Sequence, residues 1–498
     1  MRKKVSQTKL NITVAICYQI VAAVIGLILP RFVLNAYGSE TNGILQSVSQ
    51  LLSYTAILEC GLGGMIATSF YKPLAKGNTE EISDIFNNAK NFFTKLSIIY
   101  IVFMLVLACT SKFVIHTSFD WFYVCGLVLI LGVNNYFSYY FAMAQQLLLR
   151  ADQKIRITQI WQIVSLVLNA GICILMIELG MGVHTVKLFS AIIFLIVPFA
   201  LRIYVKKHYK ISKKIFDKSR KLPEKSSGMI HQLSYFIHAN TDMVILSVFK
   251  GVKIVSVYSV YNVVIVAMAN LLKAISNGIA GKFGNIIARS EKEELSETFE
   301  VYNTTNMIIS SFFCTMTAIC IIPFVTIYTG DVTDINYVRP VFATLFIMSA
   351  WFSFIRIPHS TTITSAGHYR QTRMGAVGEV STNLILSLAL VIPFGLSGVA
   401  VGTLAAMIFR TVYTIWYLKD NIIKRSPWLF LKESMANLIL GVVVTLFVLK
   451  YVNVSSESLL NLAFDAVVIS VVVLPLFVLL NILLNKEIRL LLKKRKNK

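Results

Sequence analysis

Apolar residues follow one another in stretches of roughly 20 or more, enough to cross ~30 Å of hydrocarbon. Fourteen such stretches have cores near 11–34, 43–70, 91–110, 119–146, 157–180, 183–205, 228–249, 254–285, 303–328, 338–365, 371–394, 396–419, 433–451 and 458–485. A chain punctuated this way is expected to fold as a bundle of transmembrane helices, because a helix satisfies its own backbone hydrogen bonds in lipid. Only 14% of the residues are charged, against about 25% in a typical soluble domain. The formal net charge of +23 would suggest nucleic-acid binding in a soluble protein. Here the basic residues sit in short connections between apolar stretches, so membrane topology accounts for them and no nucleic-acid partner is expected.

Alternate connections carry the basic residues. They are the N-terminus (Arg2, Lys3, Lys4, Lys9), then Lys72, Lys76 and Lys90, then Arg150, Lys154 and Arg156. The longest is Lys206–Lys225, whose nine lysines and arginines face only Asp217 and Glu224. Lys282, Arg289 and Lys292, then Arg370 and Arg373, then Lys419, Lys424, Arg425 and Lys432, and the tail 486–498 continue the series. The other connections (35–42, 178–184, 329–338, 393–398) are short and poor in lysine and arginine. The asymmetry predicts that both termini and the central linker are cytoplasmic. The first apolar stretch is too long for a signal-peptide core and lacks an A-x-A site, so no cleaved leader is expected. Cys17, Cys60, Cys109, Cys125, Cys173, Cys314 and Cys320 all lie in or beside apolar stretches with no C-x-x-C pair. They read as packing residues, with neither a disulfide frame nor a metal site.

Sliding the chain along itself by 213–215 residues aligns similar features. Glu80 and Glu81 meet Glu293 and Glu294, Tyr37-Gly38 lies beside Lys250-Gly251, Asn169 meets Asn383, and Gly180 meets Gly395 within a residue. A common offset over six helices indicates an internal repeat. The expected fold is therefore all-α: a polytopic membrane protein of about 14 transmembrane helices in two six-helix pseudo-repeat lobes, plus two extra C-terminal helices. The expected boundaries are 1–205 for the N-lobe, 206–227 for the linker, 228–425 for the C-lobe and 426–498 for the last two helices and tail. Copies of even helix number share orientation, which places a substrate cleft between them.

Ionisable side chains inside apolar stretches are costly to insert and mark either function or structural pairing. Arg31 follows Pro30 in the first helix and is an anion contact or a snorkelling end residue. Lys273 shares a polar stripe with Tyr258, Asn262, Ala269 and Asn277, and Glu59 lies one position from its counterpart in the repeat. Arg356 lies mid-helix beside Ser353, His359 and Ser360, with Pro358 to bend the chain. Its forked donors suit phosphate oxygens, making it the foremost anion-site candidate. Arg31, Lys273 and Arg356 are thus the candidate substrate-binding cations. Glu59, Asp242 and Glu379 are candidates for ion coupling or for a latch. Asp242 ends a one-faced stripe with His231, Tyr235 and His238, and a single such pair argues against a metal. Arg410 and Asp465 are further intramembrane charges, Asp465 suiting a helix end. The fourth stretch is rich in amides and tyrosines (Asn134, Asn135, Tyr136, Tyr139, Tyr140), which suit sugar hydroxyls and rings or simply interhelical hydrogen bonds.

Three segments carry a resemblance. They are PRFVLNAYGSETNGILQSVSQLLSYTAILECGLGGMIATSFYKPLAKGN, NTDMVILSVFKGVKIVSVYSVYN, and AGHYRQTRMGAVGEVSTNLILSLALVIPFGLSGVAVGT. With the helix count, they resemble polysaccharide repeat-unit (Wzx-like) flippases of the multidrug/oligosaccharidyl-lipid/polysaccharide exporter superfamily. The resemblance implies a bacterial cytoplasmic-membrane protein. It would move an undecaprenyl-pyrophosphate-linked oligosaccharide to the outer leaflet by alternating access, and a polysaccharide polymerase complex is an implied partner besides membrane lipid. It further implies a cationic lumen, no cofactor, and coupling to H+ or Na+. A drug exporter of the same superfamily is the alternative, though its cleft should be acidic where this chain leans basic. A membrane enzyme would show a large external loop or an acidic metal-binding loop, and only 330–334 approaches the latter. A scaffold for polymer synthesis would leave the buried charges unexplained.

Overall fold

A single residue with positive φ can end one helix and redirect the next, and glycine takes that conformation without steric penalty. In the computed structural model, which describes residues 2–59, 62–212, 228–485 and 489, such residues are regularly placed. The first half has Gly38, Gly77, Gln153 and Gly180; the second has Gly251, Ser290, Gly367 and Gly395. Taken in order, the four pairs are 213, 213, 214 and 215 residues apart, the same offset that aligns the sequence with itself. Each half therefore reverses at the same four connections. Most of the central linker (213–227), Cys60 and the basic tail apart from Arg489 lie outside the described residues, as do the side chains of His231, Tyr235 and His238.

The helices run in chain order as α1 (Arg2–Ser53), α2 (Ala56–Glu59), α3 (Leu62–Ser69), α4 (Tyr71–Lys76) and α5 (Thr79–Val114). Next come α6 (Trp121–Phe137), a π turn (Ser138–Ala142), α7 (Met143–Ala151), α8 (Ile155–Glu178), α9 (Val183–Phe194) and α10 (Ile196–His208). The second half has α11 (Gly228–Lys250), α12 (Val252–Ala288), α13 (Lys292–Tyr328), α14 (Pro340–Ile355) and α15 (Ile357–Ser365). It ends with α16 (Arg373–Asn421), α17 (Pro427–Tyr451) and α18 (Leu459–Leu484). Eleven described helices are long and apolar enough to cross a membrane. Two of these, Thr13–Ser53 and Arg373–Asn421, turn at Gly38 (φ 77°) and Gly395 (φ 57°) and so make two rods apiece. With α11 added, the described rods number fourteen, as the apolar pattern predicts. The segments 35–42 and 393–398, expected as loops, are single-glycine turns between helices that resume at once.

The described residues form two compact units, 1–236 with 251–256, and 237–250 with 257–498. In the first, Val33, Ile44, Ile66, Phe70 and Phe93 are buried in one apolar core. Tyr209 ends α10 by donating to Asp152 at 2.5 Å, and Lys154 pairs with the same carboxylate at 2.7 Å. In the second, Phe283 and Phe299 centre one core, and Ile319, Val473 and Phe477 centre another where α17 and α18 pack on α13. Asn437 and Asn481 exchange amide hydrogen bonds of 3.1 and 2.8 Å between α17 and α18. Asp465 accepts from the Ser455 N–H at 2.8 Å and so holds the connection between them.

One buried ion network secures this packing. Arg425, between α16 and α17, meets Glu300 at 2.5 Å and Glu433 at 2.6 Å, and Asn485 donates to Glu300 at 3.1 Å. Burial pulls the Arg425 pKa down, Glu433 and Glu300 more than offset that, and the balance stands above the ordinary arginine value.

Without a hydrophobic drive between helices in lipid, close approach matters most. A Cβ on Gly43 would overlap the Val252 backbone carbonyl, which cannot swing aside as a side chain can. Gly26, also helical, has nothing within 4 Å of such a Cβ. Gly43→Ala should lower the thermal midpoint of the detergent-purified protein, by about 1–3 kcal/mol of overpacking. Gly26→Ala should leave it unchanged or raise it. Size-exclusion recovery after a heating series measures both, and equal midpoints would contradict the packing assignment.

Candidate functional site

The single-residue turn at Gly395 folds α16 into a hairpin. Glu379 lies 16 residues before it and Arg410 lies 15 after it, so at ~1.5 Å per residue both sit about 22–24 Å from the turn. They meet there: Arg410 Nε is 3.3 Å from Glu379 Oε2. Gly375 and Gly378 make room, since a Cβ on either would overlap Arg410 and Tyr413, or Phe409. The third member comes from the break between α14 and α15. Pro358 lacks the N–H that a continuous helix would use there. Arg356 stands at the break with its fork aimed at Glu379, Nη1 donating to Oε2 at 3.3 Å and Nη2 to Oε1 at 3.0 Å. Arg410 also donates to the Thr372 carbonyl at 3.3 Å. The triad holds two guanidiniums and one carboxylate, a net single positive charge, with Glu379 and Arg410 buried and Arg356 half-buried.

Glu379, Asn383 and Ser387 recur every four residues and share one face of the hairpin. One turn along from the triad, Asn383 donates to Asp242 of α11 at 3.3 Å and to Thr403 at 3.0 Å. Thr403 donates to Asp242 at 2.7 Å, and Tyr258 of α12 donates at 3.4 Å. Ser387 reaches the Val399 carbonyl at 3.4 Å, and Thr403 reaches the same oxygen at 3.1 Å. Asp242 is 4% exposed, so its charge depends on this oxygen-rich shell. One carboxylate with hydroxyl, amide and carbonyl oxygens suits a proton or a hard monovalent cation. Among the described residues no cluster of three or more His, Cys, Asp or Glu side chains is placed to hold a metal.

The remaining candidates are members of neither cluster. Lys273 is exposed on α12, with Asn277 exposed beside it, while Tyr258 at the other end of the same stripe is buried. Arg31 is half-buried on α1, which passes Pro30 and stays helical to Gly38. Glu59 closes the short α2 and hydrogen bonds with Tyr139, which lies in the π turn of the fourth rod. Such turns frequently mark functional positions, and they leave no trace in the apolar pattern. Lys187 on α9, near Cys173, also escaped the sequence reading. It lies four residues into its helix, where a lysine reads as the end of a connection.

No family model matches the chain, and no curated protein matches it. Solved structures do. The chain is similar to the lipid II flippase MurJ in an inward closed conformation, with a TM-score of 0.71, 15% identity, and coverage of 93% of this chain and 98% of that one. It is also similar to an inward-facing multidrug resistance MATE family transporter of the MOP superfamily (TM-score 0.58, 11% identity, 81% and 96% covered). A third is the Vibrio cholerae MATE transporter VcmN (0.55, 13%, 85% and 99%). The chain shares their fold. It is a multi-pass, all-α membrane protein over nearly its whole length.

The triad makes an asymmetric prediction. Glu379→Gln leaves two guanidiniums facing each other, whereas Arg356→Met leaves a neutral Glu379–Arg410 pair. Breaking a buried pair so that charge is stranded costs about 3–5 kcal/mol. Glu379→Gln should therefore lower the thermal midpoint of the purified protein well below that of Arg356→Met. The reverse order would remove Glu379 as the bridge.

Proposed function

We propose that this protein is a flippase. It moves a polyprenyl-pyrophosphate-linked oligosaccharide repeat unit from the cytoplasmic to the outer leaflet for surface polysaccharide synthesis, by alternating access and without a covalent step. The observation that carries the proposal is the net-positive Arg356–Glu379–Arg410 triad, within a fold that also serves a lipid II flippase. A pyrophosphate is anionic, its sugar is polar and its tail apolar. Arg356 is held by a carboxylate it can exchange for phosphate oxygens, which accept the same forked donors. Lys273 and Arg31 are the further cations that this reading assigns to the head group.

The proposal includes a bacterial cytoplasmic-membrane location with both termini inside, as the distribution of lysine and arginine favours. It includes lobes at 1–205 and 228–425 joined by the basic linker 206–227, with 426–498 as the added helices and tail. The paired left-handed residues at one offset support the repeat. Membrane lipid, an undecaprenyl-pyrophosphate-linked oligosaccharide and a polymerase complex are its partners, and H+ or Na+ at Asp242 supplies the drive. Glu59, bonded to Tyr139, is a second ion-coupling candidate or a latch. The likeness to MATE transporters favours one other possibility, an ion-coupled exporter of small molecules.

Deleting the gene and assaying surface polysaccharide and its lipid-linked precursor separates the two. Loss of polymer with precursor held in the inner leaflet supports the flippase; intact polymer with altered sensitivity to cationic drugs supports the exporter. A charge-assisted hydrogen bond is worth about 1.5–3 kcal/mol, so Arg356→Ala should reduce polymer export roughly 10- to 100-fold at unchanged membrane levels. Normal export by that variant would remove Arg356 from the site.

Asp242→Asn keeps the size of the side chain and deletes its charge, its amide nitrogen facing the Thr403 and Tyr258 hydroxyls, which can turn to accept. It should abolish the dependence of transport on the ion gradient while substrate binding persists. Unchanged gradient dependence in vesicles would move the coupling site elsewhere.

A further inference from the structure

The sixth rod is made of two helices. It breaks at Leu195, between α9 and α10, and Pro198 follows in the first turn of the new helix. Beside this break a concave strip runs against α8, a groove of about 690 Å³ walled by Trp161, Ile192, Leu195, Phe199, Ile203 and Tyr204. Its walls are apolar along their length, and Ile192, Phe199 and Ile203 are 53%, 41% and 66% exposed. At one end the chemistry changes abruptly. Lys207 and His208 close the groove there, and both are exposed. The His208 ring stacks on Tyr204 at 4.0 Å and bonds the Tyr204 carbonyl at 2.9 Å, so it is fixed at the mouth.

From Ile192 to Lys207 the rod advances 15 residues, about 22 Å at ~1.5 Å per residue. Half of a ~30 Å hydrocarbon core is about 15 Å, so the groove has the length of one acyl chain plus a head group. The groove thus tapers from an apolar wall to a lysine and a histidine ring held in place. We infer that this groove is a binding site for one anionic phospholipid, its acyl chain along Phe199 and Ile203 and its phosphate at Lys207 and His208. A basic pocket between helices at a membrane surface is a recognised way to read anionic head groups. On the topology proposed above the lipid belongs to the inner leaflet, and the site shares no residue with the Arg356 and Asp242 clusters.

Trp161 in the groove wall is a built-in reporter. The full-length protein is reconstituted into phosphatidylcholine vesicles holding equal mole fractions of either dibrominated phosphatidylglycerol or dibrominated phosphatidylcholine. Quenching of Trp161 is the difference between the wild type and Trp161→Phe. Brominated phosphatidylglycerol should bind the groove with a roughly fivefold preference, the factor expected for one basic residue at a lipid head group. The double variant Lys207→Gln/His208→Gln should lose the preference and keep the quenching. A tryptophan on the opposite wall, Phe199→Trp in the Trp161→Phe background, should report the same preference. Equal quenching by the two lipids in the wild type would overturn the inference and leave an unselective annulus. So would a preference that survives the double variant, or one that Phe199→Trp does not see. Displacement of both brominated lipids by a polyprenyl phosphate, but not by phosphatidylglycerol, would overturn it in favour of the isoprenoid carrier.

Discussion

Hydrocarbon offers a peptide group no hydrogen bond, and the architecture follows from that. Each rod must bond its own backbone from end to end, so reversals have to be brief. Gly38 and Gly395 each achieve a reversal with one left-handed residue inside what is otherwise continuous helix. The same economy recurs at Gly77, Gly180, Gly251 and Gly367. It recurs even at Gln153 and Ser290, where a side chain must be tolerated at a φ that L-residues rarely adopt. Each of the two corresponds to a glycine in the other half, Gln153 to Gly367 and Ser290 to Gly77, so the turn geometry is kept where the residue type is not.

A short turn also fixes register, and register decides which polar groups meet. Each residue added to a helix rotates the next by about 100°. With a turn of several residues, Glu379 and Arg410 would have no reason to face each other. With a one-residue turn they lie 16 and 15 residues from it, and a carboxylate that hydrocarbon would otherwise expel gains a partner. Arg356 enters from a separate helix break and completes the compensation. The triad is thus a consequence of Gly395 and Pro358 as much as of the three charged residues.

This explains what the sequence made legible. The fourteen rods follow from apolar run length, and the positions of Gly38, Gly180, Gly251 and Gly395 follow from the self-offset. The ionisable candidates follow from their cost in apolar surroundings. The pairings do not. A loop placed only as 393–398 leaves the hairpin register open by several residues, and so leaves open which face Arg410 presents. Asn383 was visible as the repeat partner of Asn169, but its bond to Asp242 depends on α11, 141 residues away. Arg425 reads as one more basic residue of a connection. Its carboxylate partners Glu300 and Glu433 lie 125 residues before it and 8 after it, and only tertiary packing brings both to it. Tyr139 stands out among the tyrosines of the fourth stretch, but its π turn carries no signal, because one extra residue per turn disturbs an apolar run too little to be noticed.

The two clusters on α16 are one helical turn apart, and that spacing bears on how a transporter of this kind would couple its ion to its cargo. Asn383 bonds Asp242 and Thr403, while Glu379, four residues earlier on the same face, holds Arg356 and Arg410. Both shells draw on both limbs of a single hairpin, which tightly packed glycines such as Gly402, set against Ser387, allow little freedom to slide. A packed interface has discrete arrangements and deforms little between them. On the proposed function, neutralising Asp242 would remove the charge that draws Thr403 and Asn383 together. The limbs would relax by a step that the Glu379 bridge must also feel, one turn away. Phosphate arriving at Arg356 would compete with Glu379 and load the same hairpin from the other end. Coupling of this sort is reciprocal by thermodynamic necessity, so ion and pyrophosphate would each alter the affinity for the other through α16 without sharing a ligand.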